Sequence, residues 1–146
     1  MKKLIALSVS LLSILTITLL QSCSSTDDNN QLQEPQTVTI THSNIEKKWL
    51  TTFYEFTPNV SQATKTAYQV SSVEVSLDNG TYSIYDRYSE KTDKGSYSLD
   101  KNLLILTSSV SKETIQFKIE KLTHNEANLT ALNHNDITTV EMISIK

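Results

Sequence analysis

Val73-Glu74-Val75-Ser76-Leu77-Asp78-Asn79-Gly80-Thr81-Tyr82-Ser83-Ile84 is the stretch whose reading decides the fold. Apolar and polar residues alternate on both sides of Asn79-Gly80, the period of a strand with one buried face. Asn-Gly is the strongest two-residue hairpin signal, because both positions tolerate positive φ. Closing the chain there pairs Leu77 with Tyr82 and Val75 with Ile84. The large apolar residues then share one face, and a slip of one residue would scatter them.

The same test works outward. Tyr97 and Leu99 precede Lys101-Asn102, and Leu104 and Leu106 follow it. Closing there pairs Leu99 with Leu104 and Tyr97 with Leu106, leaving Leu103 and Ile105 on the outer face. A three-residue loop at Thr123-His124-Asn125 pairs Ile119 with Leu129, with Asn125 suited to a left-handed position. The last strand has mixed parity. Val140 and Met142 alternate against Ile137, Ile143 and Ile145, and a β-bulge would reconcile them.

Eight strands result, at 49–56, 70–77, 81–88, 95–99, 103–108, 113–122, 126–133 and 137–145. Regular turns and short connections predict an all-β, eight-stranded antiparallel up-and-down barrel, whose closure removes exposed strand edges. Two segments are less regular. Ser43-Asn44-Ile45-Glu46 fits a capping box, with Ser43 as N-cap and Glu46 as N3, opening a single helical turn. Pro58 to Tyr68 reads as a loop or short helix.

The N-terminus has its own logic. Lys2 and Lys3 precede an apolar run from Leu4 to Leu20, and small polar residues lead into Cys23. This is the pattern of a secretory signal. A transmembrane helix is the rival reading, but Ser8, Ser10, Ser13, Thr16 and Thr18 interrupt the run and no basic cluster follows it. Leu20-Gln21-Ser22-Cys23 resembles the lipobox of bacterial lipoproteins. That resemblance implies cleavage before Cys23 and acylation of its sulfur and usually of its new amino group. Ser24, Ser25, Thr26, Asp27 and Asp28 resemble the short acidic export signal of many Bacteroidota lipoproteins, which implies display on the outer face of the outer membrane. An ordinary polar tether is the alternative. Ser24 to Asn44 holds few large apolar residues and reads as a flexible, disordered tether. The organisation expected is therefore a signal peptide at 1–22, a lipidated tether at 23–44 and the barrel at 45–146.

Cys23 is the only cysteine, so the barrel has none for a disulfide, a thiol nucleophile or a zinc site, and its core alone must hold it. Thirteen basic side chains face 16 acidic ones; losing Lys2 and Lys3 on cleavage leaves 11 against 16, a net charge of −5. That argues against nucleic acid and against a polybasic membrane patch. The membrane would be held through lipid on Cys23, with no other cofactor.

Trp49, "DNGTYSI" (Asp78–Ile84), "GSYSLDKNLLIL" (Gly95–Leu106) and "FKIEKLTHNEANLTA" (Phe117–Ala131), followed by a final strand, resemble the lipocalin-like domains of small Bacteroidota lipoproteins. Typical members place Gly two residues before the Trp, where this chain has Lys47. The resemblance implies an eight-stranded barrel with a cup for a small apolar ligand. From register, Trp49 and Phe53 share one face of the first strand, and Tyr82 and Tyr97 point inward. Trp49, Phe53, Val75, Tyr82, Tyr97 and Phe117 are thus the candidate pocket, or else they simply fill the core. A filled barrel would instead present its loops to an envelope protein partner.

Catalysis has no visible constellation: no nucleophile elbow, His-Glu-x-x-His or carboxylate pair stands out. His124 and His134 fall at successive turns, hence at opposite barrel ends, and His42 on the tether. No metal site is expected, since metals need three or four converging ligands.

Overall fold

A computed structural model describes residues 35–146. The signal peptide, Cys23 and the acidic stretch Ser24 to Asp28 lie outside the described residues. Ten elements follow in order: α1 (His42–Ile45), β1 (Lys48–Phe56), α2 (Gln62–Val70), β2 (Val73–Asp78), β3 (Thr81–Asp86), β4 (Lys91–Asp100), β5 (Leu103–Ser108), β6 (Thr114–Leu122), β7 (Glu126–Ala131) and β8 (Ile137–Ile145). Each strand pairs antiparallel with the next, and β8 returns to β1. The fold is a closed, eight-stranded, up-and-down barrel, lipocalin-like in shape.

The registers read from the turns hold. Leu77 faces Tyr82 and Val75 faces Ile84 across Asn79 (φ 42°) and Gly80 (φ 75°), both left-handed as the primed turn requires. Leu99 faces Leu104, and Tyr97 faces Leu106. Ile119 faces Leu129. The last strand carries its expected bulge, at Thr138, which brings Ile137, Val140 and Met142 onto the inner face.

Other expectations are corrected by bulges and caps. An extra residue, Thr52, sits in β1 between Thr51, opposite Met142, and Phe53, opposite Glu141. It flips the parity of everything after it, so Phe53 turns outward, 51 % exposed, while Tyr54 and Phe56 turn in. Glu120 is a similar bulge in β6. It moves the closing pair to Leu122 and Ala127 and leaves a two-residue turn, His124-Asn125, between Thr123 and Glu126. Asn125 does not take positive φ; the Thr123 hydroxyl caps the turn by accepting from the N–H groups of Asn125 and Glu126.

Ser43 and Glu46 do not form a capping box. The N-cap of α1 is Thr41 and Glu46 is its C-cap, because the Glu46 carboxylate is drawn instead to the Tyr97 hydroxyl, at 2.5 Å. Val70 ends α2, capped at its start by Ser61, rather than beginning β2. The packed body also starts before Ile45. Thr37 bridges to Thr123, the Val38 N–H donates to the Leu122 carbonyl, and Val38 and Ile40 pack on the core. The end of the expected tether is therefore part of the fold.

The two barrel ends differ. At the near end, the chain arrives through α1, and the turns are Asn79-Gly80, Lys101-Asn102 and His124-Asn125. Ile45, Trp49, Leu77 and Leu122 are fully buried there, and the Trp49 indole N–H donates to the Ile45 carbonyl at 2.9 Å. This end is filled. The far end is formed by α2 and the β3–β4, β5–β6 and β7–β8 connections.

Candidate functional site

Above the filled layer, the barrel encloses an apolar cavity of about 260 Å³. Alternation puts Val75, Ile84, Leu106, Phe117, Leu129 and Val140 on its wall. At the far end it is bounded by Thr51 and Tyr54 of β1, Tyr68 of α2 and His134 of the β7–β8 connection. Filling and cup thus divide the barrel between them. Side-chain size accounts for part of this: the indole of Trp49 occupies the near end, whereas much of the wall above it is built from Val73, Val75, Ile84, Ile115 and Val140.

Tyr68 is the one residue of α2 in this wall. Its ring centroid lies 5.2 Å from that of Tyr54 and 5.6 Å from that of Phe56, both tilted, and it meets His134 edge-on at 6.4 Å. Aromatic pairs in such geometry add about 0.5–1.5 kcal/mol beyond area burial. No residue of α2 is fully buried, so this cluster is the main attachment of the helix over the cavity. Burial raises the pKa of the Tyr68 phenol, and the Asp136 carboxylate beside it raises it further. Burial also raises that of Tyr54, a hydrogen bond with Thr51 opposes this, and the charge of Asp86 adds to the rise.

His134 is built into its own turn. Its Nδ1 accepts from the N–H groups of Asp136 (3.1 Å) and Ile137 (3.3 Å). In the sequence, His134 reads as an exposed turn residue; the structure makes it a half-buried wall of the cavity.

Of the six candidates from sequence, Val75 and Phe117 line the cavity. Trp49, Tyr82 and Tyr97 are buried core, and Phe53 is on the outer surface. Tyr82 lies over Gly95 and donates to Asp93 at 2.6 Å, while Ser108 donates to the other oxygen of that carboxylate at 2.7 Å. Burial would raise the Asp93 pKa, but these bonds and the Lys94 N–H outweigh it and hold the carboxyl below its ordinary value. Tyr97 reaches the near end, where its hydroxyl donates to Glu46 and lies 3.2 Å from His42 Nδ1. His42, expected on the tether, is thus tied to the barrel. Tyr54, Tyr68 and His134 were missed. Only the Thr52 bulge could have revealed Tyr54, and bulges leave little trace in composition.

Four large apolar side chains stand exposed around the far end: Val70, Tyr88, Val110 and Leu132, one from each of its connections. A wider groove of about 770 Å³ lies over the outer face of β2 to β5, lined by Ser83, Ser96, Thr107, Lys94 and Lys112. It is open and offers a ligand little enclosure. Among the described residues, no three His, Cys, Asp or Glu side chains converge as a metal site, and no helix is long and apolar enough to cross a membrane. No known family model matches the chain, and neither does any curated protein.

Proposed function

We propose that this protein binds a small apolar molecule inside its barrel and is held at a membrane by lipid on Cys23. The observation that carries the binding reading is the apolar cavity of about 260 Å³ inside the barrel, with Tyr54, Tyr68 and His134 at one end. A cavity of about 150 Å³ lined by aliphatic residues is enough for benzene, so this one suits a compact ring or short-chain compound. Mass spectrometry under native conditions, on protein taken from its own cells, should find such a molecule. A clean apo mass, together with no binding of simple alkylbenzenes, would refute the reading.

The anchoring reading rests on Leu20 to Cys23 and on the apolar run before them. One acyl chain anchors only marginally, and two or three on one residue anchor stably. Cys23→Ala should release the protein from membranes; unchanged fractionation would refute lipidation. Asp27→Ala with Asp28→Ala should lower protease accessibility on whole cells if these residues direct surface display in a Gram-negative outer membrane. A second reading, docking to an envelope protein, is favoured by the exposed rim of Val70, Tyr88, Val110 and Leu132. In-cell crosslinking from Tyr88 should then capture one specific partner.

A further inference from the structure

His134 offers a donor whose direction is set by its own turn. Because Nδ1 accepts from two backbone N–H groups, it carries no proton in this arrangement, and the proton sits on Nε2. Among the described residues, no acceptor is bonded to that Nε2–H. The other polar groups in the wall have partners nearby: Tyr68 faces Asp136 at a long 3.5 Å, and Tyr54 faces Thr51. The rest of the lining is aliphatic or phenyl, apart from the thioether of Met142. His134 is part of the cavity wall, so a guest without an acceptor that seats against its ring and covers this N–H would leave it unpaired, at a cost of about 1–3 kcal/mol.

We propose that the ligand is a neutral molecule with one hydrogen-bond acceptor, a carbonyl or hydroxyl oxygen, received by His134 Nε2–H while its apolar body fills the barrel. This rests on the reading of the cavity as a ligand site and narrows its chemistry. Neutrality follows from the charge at that end. The Asp136 carboxylate lies 3.5 Å from the Tyr68 hydroxyl, beside the polar end of the cavity. A carboxylate placed there would meet like charge.

Three probes that share a ring and a short chain separate the possibilities: propylbenzene, propiophenone and phenylpropanoate, titrated calorimetrically into the full chain. Propiophenone should bind about three- to tenfold tighter than propylbenzene, the worth of one hydrogen bond, and phenylpropanoate should bind weakest. His134→Asn keeps a side-chain oxygen able to accept from the same two N–H groups, as asparagine does in turns, and withdraws the ring donor. Its thermal midpoint checks that the turn survives. In that variant the preference for propiophenone over propylbenzene should vanish. An unchanged preference, or phenylpropanoate binding tightest, overturns the proposal and leaves the cavity a ligand site. Failure of all three probes to bind overturns the parent reading and this one together.

Discussion

Gly95 shows how much one residue carries. It has no left-handed torsion to justify it; the constraint is space. A methyl group built there would overlap the Thr107 carbonyl oxygen and come within 2.8 Å of the Tyr82 ring. Tyr82 stands directly opposite Gly95 in the ladder and covers it, as an aromatic commonly does for a glycine in a curved sheet. The obstacle is backbone and cannot swing away, so Gly95→Ala should cost about 3 kcal/mol or more by denaturant unfolding. Two buried phenols make a second prediction. Burial, then hydrogen bonding to carboxylates, pushes Tyr82 and Tyr97 up to about 12 from 10.0. Between these values the unfolded chain has lost protons that the folded one keeps. Stability contributed by the two phenols is therefore full below pH 10 and is lost as pH rises through 12. Ultraviolet titration of tyrosinate should show these two ionising late, together with unfolding. Tyr82→Phe should remove one of the late ionisations.

At the scale of elements, bulges decide which residues look inward. Thr52 supplies little through its own side chain, a 3.2 Å bond to the Glu141 carbonyl, so Thr52→Ala should change stability by about 1 kcal/mol or less. Deleting Thr52 should also be tolerated, because it removes only the extra residue. Thr51 is then followed directly by Phe53, the pairs Phe53–Glu141 and Tyr54–Val140 are kept, and Tyr54 and Phe56 stay inward against Tyr68. We expect a cost of about 2 kcal/mol or less and unchanged proteolysis within α2. A cost well above this, with α2 released to protease, would show that the bulge itself is required and not only the faces it sets. Hairpins were legible because each turn reports its own register locally, as Asn79-Gly80 and Lys101-Asn102 do. Thr52, Glu120 and Thr138 were not equally legible. A bulge is stabilised by what the next strand and the interior demand, and the mixed parity of β8 was the only trace left in the sequence.

For the whole molecule, the start of the body is the testable point. Val38 and Ile40 pack on the core, and His42 meets the Tyr97 hydroxyl, so a chain beginning at Ile45 lacks part of its near-end closure. Partial burial of two aliphatic side chains puts the loss at about 2–4 kcal/mol relative to a chain beginning at residue 35. Equal unfolding midpoints would restore the shorter body. By itself, the sequence determined the all-β class, the eight strands, the order of the barrel and the registers of two hairpins, with one pair, Ile119 and Leu129, of a third. Alternation and turn chemistry act between neighbours in the chain and are written there. Only the tertiary structure decided that Trp49 fills one end, that Phe53 is outside, and that Tyr54, Tyr68 and His134 surround a cavity. Those facts depend on which side chains meet across a closed barrel, and on the volume they leave between them. Both are properties of all eight strands together and of no single stretch.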